Sequence, residues 1–186
     1  MQTAFPWIDL RTRQVQDCRV FSVHAVDRQS TSGRRGTFYS IGAPDWAGVI
    51  PVIDTDDGKA FVMIRQFRHG TRHVSLEFPG GAVEPGEEPS AAVARELLEE
   101  TGYAADMLVP LGVLSPNPAL MTNTFHAFVA EGCRQIAMPK PDGHEEIEVV
   151  ILPEREAIEM IGAADMGHAL MVATLFFYER YSGRLR

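Results

Sequence analysis

Residues Gly81 to Tyr103, with the sequence GAVEPGEEPSAAVARELLEETGY, contain the pattern that decides the fold. Their order predicts a turn at Gly80 and Gly81 followed by a helix that Ser90 caps. The helix is expected to stop at Gly102, because glycine readily adopts the left-handed conformation found just after helix C-termini.

This helix has two unlike faces. Val93 and Leu97 lie on an apolar stripe, whereas Glu96, Glu99 and Glu100 are spaced i, i+3 and i+4 and share one side. Like charges at that spacing destabilise a helix by about 0.2–0.5 kcal/mol per pair. Mg²⁺ or Mn²⁺ would offset this repulsion, since both prefer carboxylate oxygens. The alternative is an acidic face in contact with water, which is common for an isolated glutamate pair.

The complete arrangement favours the metal-binding interpretation. The stretch resembles the Nudix box, GX5EX7REUXEEXGU, in which Leu97 and Tyr103 take the two bulky positions, the second being more often aliphatic. The resemblance implies an α/β fold, namely a Nudix-type α/β/α sandwich with a mixed central sheet, and an enzyme that hydrolyses a nucleoside diphosphate linked to another group. The fixed positions are all matched, by Gly81, Glu87, Arg95, Glu96, Glu99, Glu100 and Gly102.

We predict roles in diphosphate hydrolysis for four residues of the helix. We expect Glu96 and Glu100 to be ligands of Mg²⁺, with Mn²⁺ as the alternative ion, and Glu99 to share or support the metal shell. Arg95 is expected to orient Glu99 or a neighbouring carboxylate. Glu99 and Arg95 are therefore predicted catalytic residues.

Two segments before the box extend the resemblance to ADP-ribose pyrophosphatases. The sequence RQFR at 65–68 matches a Q-aromatic-R element, and LEFPGG at 76–81 matches E-aromatic-P-A/G-G. The resemblance implies that Arg68 contacts the substrate phosphates, that Glu77 contacts the substrate, and that the Gly80 carbonyl is a metal ligand. A planar guanidinium suits phosphate oxygens, and a carbonyl oxygen suits a hard cation.

A loop near residue 143 is predicted to supply the catalytic base. In the family resembled, a glutamate from this loop activates water or completes the metal shell, and the following IEVVILP strand selects Glu145. His144 is the second candidate. The competing interpretation is a solvated cluster of charges, and the sequence favours neither.

The remaining elements are expected to build the sheet and its cover. Apolar runs at 46–53 and 60–66 predict central strands, and helices are predicted at 153–161 and 168–181. Neither of these helices carries a catalytic pattern.

The N-terminal residues predict a separate β extension. Alternating residues at 18–27 and a second run at 33–42 predict a β-hairpin, so that residues 1–44 precede a Nudix domain at 45–186. In similar ADP-sugar hydrolases such a segment pairs two subunits and helps to hold the nucleobase. The resemblance therefore implies a homodimer, with Phe21 and Phe38 as candidates for stacking on adenine. Packing within the sheet is the alternative role for both rings.

Composition limits the possible partners. The 186 residues carry a formal charge of −8, which disfavours binding to long nucleic acids and argues against RNA decapping. Cys18 and Cys133 lack metal-type spacing, and no run reaches membrane-spanning length, so we expect a cytoplasmic protein with no nucleic acid or membrane partner.

The sequence thus predicts a Mg²⁺-dependent hydrolase of a small nucleoside diphosphate derivative. ADP-ribose, cleaved to AMP and ribose 5-phosphate, is the expected substrate. Another nucleotide sugar or a dinucleotide remains an alternative, because the box handles only the diphosphate. A Nudix-fold module that binds a ligand without hydrolysing it is the alternative from a different class, although a pure binder would have no need for so many mutually repelling carboxylates.

Overall fold

The computed structural model describes residues 6–141, Gly143 and 146–185. Within these residues seven strands precede the first helix, five strands follow it, and a short 3₁₀ turn at Ala164–Met166 lies between the last two helices. In the same residues no helix combines the length and apolar character needed to cross a membrane. The strands are β1 (Trp7–Asp17), β2 (Ser22–Ser30), β3 (Arg35–Gly42), β4 (Trp46–Thr55), β5 (Gly58–Arg68), β6 (His73–Glu77), β7 (Gly80–Ala82), β8 (Tyr103–Ala104), β9 (Met107–Leu114), β10 (Phe125–Glu131), β11 (Arg134–Gln135) and β12 (Ile147–Pro153), and the helices are α1 (Pro89–Thr101), α2 (Glu154–Met160) and α3 (Ala169–Tyr181).

The contacts divide the chain into two compact units, and the first is discontinuous in sequence. It comprises residues 1–44 together with 115–124. Its antiparallel sheet has the order β1-β2-β3. The loop 115–124 joins this unit through hydrogen bonds from Ile41 N to Leu120 O (2.7 Å) and from Thr122 N to Ile41 O (3.1 Å). The predicted division into domains at 1–44 and 45–186 stays a prediction.

The second unit, residues 45–114 and 125–186, is built on a seven-stranded mixed sheet. The order is β12-β5-β4-β10-β9, with β6 paired to β5 and β7 paired to β4. The pair β4 and β10 is parallel, whereas the other pairs are antiparallel. The runs predicted as central strands are β4 and β5.

Helices cover both faces of this sheet. On one face, Val93 and Leu97 of α1 are buried in a cluster with Val49 and Val62. On the other, side chains of α3 join a larger cluster that includes Phe61 and aliphatic residues of β4 and β5. Burial of each aliphatic side chain contributes about 1.5–3 kcal/mol, so the apolar stripe fixes which face of α1 points inward. Glu96 and Glu99 lie outside this apolar stripe and are partly exposed, whereas Glu100 is buried.

The two ends of α1 only partly follow the sequence prediction. The cap predicted at Ser90 is wrong: the helix starts at Pro89, Glu88 is the N-cap residue, and no side chain bonds to the exposed N–H groups. Proline suits this first position because it has no N–H to leave unpaired. At the other end Gly102 is left-handed (φ 75°), as predicted, and its N–H bonds to Leu98 O.

The turn predicted at Gly80 and Gly81 is also wrong. These residues open β7, and they pair with Gly48 and Ala47 of β4. A side chain on Gly80 would meet the backbone of Ala47. Glycine is therefore needed here for a close approach between two strands, which a sequence pattern alone does not distinguish from a turn.

The predicted N-terminal hairpin is present as β2 and β3, but β1 adds a third strand that the sequence did not indicate. Every residue of β1 is exposed. A strand without a buried face lacks the clear alternation of apolar and polar residues on which strand prediction depends.

We expect Gly102→Ala to destabilise the protein more than Gly183→Ala. The two glycines have nearly equal φ angles (75° and 77°), but a side chain at Gly102 would collide with Ala137 O, whereas the space around Gly183 is open. Left-handed alanine alone costs about 1–2 kcal/mol, and the collision should bring the loss at Gly102 to about 3 kcal/mol. Urea unfolding measures the free energy of unfolding of both variants. Equal losses in the two variants would contradict the expected collision with Ala137 O.

Candidate active site

Glu96 and Glu100 of α1 converge on the glycine pair at the start of β7. Glu100 is only 2% exposed, and its Oε2 accepts a hydrogen bond from the Gly80 N–H (2.9 Å). The carboxylate of Glu96 occupies the space where a side chain on Gly81 would lie. Residues four apart lie on one side of a helix, so α1 delivers both carboxylates to the same short backbone segment.

Arg95 connects the other acidic residues of the box. Its Nε and Nη2 donate to the two carboxylate oxygens of Glu87, each at 3.1 Å. Its Nη1 donates to Glu96 (2.9 Å) and Glu99 (3.2 Å), and Nη2 also reaches Ala82 O (3.2 Å). The hydrogen bonds to Glu87 raise the pKa of Arg95 above its ordinary value, and those to the other carboxylates add to this. Arg95 thus holds three glutamates at fixed positions.

The glutamates differ in their surroundings. Glu99 has a side chain 43% exposed, compared with 15% for Glu96. Among residues 6–141, Gly143 and 146–185, no group of three or more His, Cys, Asp or Glu side chains is arranged to hold a metal ion. The carboxylates of Glu96 and Glu100 lie beside Gly81 and Gly80, and carboxylate oxygens are hard donors that Mg²⁺ prefers. The residues present therefore fit a divalent ion.

Arg68 and Glu77 form a bidentate ion pair in the same unit. Nε of Arg68 donates to Oε1 of Glu77 (2.9 Å), and Nη2 donates to Oε2 (2.7 Å). Glu77 is 1% exposed, whereas the Arg68 side chain is 42% exposed. The pair therefore has a buried anionic end and a cationic end that reaches solvent.

His168 completes this cluster and was not predicted from the sequence. Its Nδ1 lies 2.9 Å from Oε2 of Glu77. Burial alone would raise the pKa of Glu77, but the hydrogen bonds and positive charge of Arg68 and His168 hold it well below its ordinary value. A contact between residues 91 positions apart leaves no local signal, and a histidine before a helix is not a recognised motif.

The predicted base, Glu145, and its alternative, His144, lie outside the described residues. The preceding segment is attached to the end of α1: the N–H groups of Ile136 and Ala137 bond to Gly102 O (2.9 and 3.1 Å), and Lys140 N bonds to Glu99 O (2.7 Å). These bonds satisfy carbonyl groups that a helix end would otherwise leave unpaired.

Phe21 and Phe38 belong to the first unit. The Phe38 ring packs edge-on against Trp7 (5.0 Å between centroids), and the guanidinium of Arg28 lies 5.9 Å from its centre. Phe21 follows β1 and is 37% exposed. Their contact with a nucleobase stays a prediction.

A cavity of about 370 Å³ lies beside β5, β6 and β12. Its charged lining consists of Arg65, Glu146 and Glu148, and Arg65 pairs with Glu148 at 3.3 Å. An excess of carboxylate makes this cavity a poor place for a diphosphate. The apolar and neutral residues that line it are Gln66, Phe67, Val74 and Ile147.

The profile of the NUDIX domain matches residues 44–175, which include the whole box. The chain belongs to the NUDIX family. The predictions of a Nudix-type fold and of a Nudix pyrophosphohydrolase are thereby confirmed. The metal and substrate roles predicted for individual residues stay predictions.

Several proteins similar to this chain are named as hydrolases of ADP-ribose or other ADP compounds. The Nudix chain is 28% identical over 154 residues to the ADP-ribose pyrophosphatase of Bacillus subtilis (strain 168), covering 82% of each protein. It is 27% identical over 172 residues to the ADP compounds hydrolase NudE of Escherichia coli (strain K12), covering 92% of this chain and 91% of NudE. A solved structure described as the crystal structure of ADP compounds hydrolase superposes with a TM-score of 0.84 at 26% identity over the full length of both chains.

We expect Glu77 to stabilise the fold at neutral pH but not in acid. Its folded pKa lies below its unfolded value, near 4.5, so its contribution is fully present above that pH and is lost as the pH falls towards the folded pKa. Glu77→Gln should therefore lower the free energy of unfolding by about 1–3 kcal/mol at pH 7, and the gap from the parent protein should shrink below pH 4.5.

Urea unfolding at several pH values measures this gap. Glu156→Gln, which removes an equal charge from an exposed position on α2, is the matched control and should follow the parent protein at every pH. A gap that widens on acidification would contradict the ion-pair explanation.

Proposed function

We propose that the chain hydrolyses the pyrophosphate bond of ADP-ribose to give AMP and ribose 5-phosphate. The convergence of Glu96 and Glu100 on Gly80 and Gly81 is the observation that carries this proposal, because it joins the Nudix helix to the segment that follows Glu77. The name of the Bacillus subtilis relative supports ADP-ribose. Whatever its substrate, the chain is a Nudix hydrolase similar to ADP-ribose and ADP-sugar pyrophosphatases.

Nudix hydrolases use divalent metal ions, and we propose Mg²⁺ here, with Mn²⁺ as a substitute. Glu96, Glu100 and the Gly80 carbonyl are the proposed ligands. When bound, the ion neutralises phosphate charge and lowers the pKa of a water molecule.

Observed contacts support the roles proposed for Arg95 and Arg68, whereas the role of Glu145 rests on the resemblance alone. Arg95 holds Glu96 and Glu99 in their orientations, so that Glu99 can support the ligand set. Arg68 presents its exposed side to the substrate phosphates while Glu77 holds its other edge. Glu145 is the proposed base.

We further propose a cytoplasmic homodimer whose ligand is a small nucleoside diphosphate derivative. Two cysteines without a disulfide suit a reducing compartment. In this proposal Phe21, between β1 and β2, and Phe38, in β3, stack on the nucleobase.

A broader ADP-compound specificity is the second candidate. It is favoured by the names of the NudE relative and of the superposed structure, both of which say ADP compounds rather than ADP-ribose. The two candidates share one reaction and differ only in the group beyond the diphosphate.

A panel of ADP-ribose, ADP-glucose, GDP-mannose, NADH and diadenosine polyphosphates distinguishes these candidates. With Mg²⁺ present we expect AMP to be released fastest from ADP-ribose, and we expect EDTA to abolish release. Glu100→Gln should lower kcat by about 100-fold, since it retains an acceptor for the Gly80 N–H but removes a metal-ligating charge.

Glu156→Gln is the charge-matched control for this panel and should keep full activity. Faster cleavage of another ADP compound would replace ADP-ribose as the substrate. Binding without cleavage of any compound would favour the non-hydrolytic module.

The position of Arg95 also predicts a kinetic effect. Arg95→Lys retains a positive charge, but it replaces the five hydrogen bonds that three nitrogens of Arg95 donate with at most three from a single nitrogen, so Glu96 should lose its fixed orientation. We expect kcat for ADP-ribose to fall by about 10- to 100-fold, and Arg95→Ala to be no better than Arg95→Lys. Steady-state kinetics with saturating Mg²⁺ measures this; nearly normal turnover by the lysine variant would show that charge alone suffices.

A further inference from the structure

The buried carboxylate of Glu77 is held from two separate parts of the chain. Arg68, at the end of β5, supplies two hydrogen bonds, and His168, just before α3, supplies the third. Oε2 is shared by Arg68 and His168, whereas Oε1 accepts the Nε–H of Arg68. Since a carboxylate accepts about four hydrogen bonds, these three satisfy most of its capacity.

The backbone of His168 is itself fixed. It is the N-cap residue of α3, and its carbonyl accepts the N–H groups of Met171 (3.0 Å) and Val172 (3.2 Å). Its side chain does not cap the helix. The imidazole is thus directed at Glu77 from a rigid helix start.

Two further contacts join the same regions on either side of this one. Ser75 Oγ donates to Asp165 O (3.3 Å), and Phe78 N donates to the sulfur of Met171 (3.1 Å). The end of β6 is therefore attached to the start of α3 at three successive points. Only the contact of His168 reaches a charged side chain.

We propose that His168 is a positioning residue for substrate binding, which acts through Glu77 on the orientation of the Arg68 guanidinium. This inference rests on the proposed function for the part that concerns substrate. Two parallel hydrogen bonds keep the Arg68 guanidinium in the plane of the Glu77 carboxylate, so a rotation of that carboxylate would turn the guanidinium with it. A third hydrogen bond, from another element, prevents that motion and keeps Arg68 aimed at the phosphates.

Two substitutions separate this role from capping of α3. Asparagine places an N–H at the same distance from its backbone as Nδ1 of histidine, whereas serine is too short to reach Glu77. Both are favoured N-cap residues, so the helix start is supported in either variant. His168→Asn should rescue what His168→Ser loses.

For ADP-ribose hydrolysis we expect His168→Ser to raise KM about ten-fold, because one charge-assisted hydrogen bond is lost. The kcat of this variant should stay within about three-fold of the parent value. His168→Asn should keep KM within about three-fold. An unchanged KM in His168→Ser, a fall in kcat alone, or equal defects in both variants would overturn the proposal.

A second readout does not depend on any substrate. The Nε–H signal of Arg68, assigned by its loss in Arg68→Lys, should exchange slowly with water in the parent and in His168→Asn, and about ten-fold faster in His168→Ser. Equal exchange in all three would overturn the positioning role. If the parent protein did not cleave ADP-ribose, the proposed function would fail, and the exchange rates alone would decide whether His168 orients Arg68.

Discussion

The hydrogen bonds from Arg95 to Glu87, Glu96 and Glu99 are the interaction on which the candidate site depends. Helix α1 concentrates negative charge along one side, and carboxylates so close together would otherwise turn away from one another into water. One guanidinium gives them a common partner and holds Glu96 against Gly81. The glutamates of the box are thus ordered by a residue of the same helix.

A similar arrangement is found at Glu77, where nitrogen donors of Arg68 and His168 hold a buried carboxylate. Only Phe78 and Pro79 separate this residue from Gly80, where Glu100 binds the backbone. Pro79 is itself fixed, because its carbonyl accepts the N–H of Val49 in the central strand (3.0 Å). A short segment with little freedom therefore connects the Arg68–Glu77 ion pair to the backbone that Glu100 binds.

Much of this arrangement could be predicted from sequence because it is local. The faces of α1, its end at Gly102 and the central strands follow from periodicity and from the conformational freedom of glycine. The errors at Ser90, at the glycine pair and at β1 share one cause: tertiary packing decides whether a residue caps, turns or pairs. His168 depends on a contact between distant parts of the chain, and no spacing rule describes such a contact.

The loop 115–124 has a consequence for the order in which the chain can fold. It contributes hydrogen bonds to Ile41 and, through Asn123 Nδ2, to Pro44 O (3.0 Å), yet it is synthesised long after them. The ribosome adds about 5–20 residues per second, so several seconds pass between the synthesis of β3 and that of the loop that completes its unit. During that interval the Nudix helix has already emerged, so the N-terminal unit cannot finish folding before the box has been made.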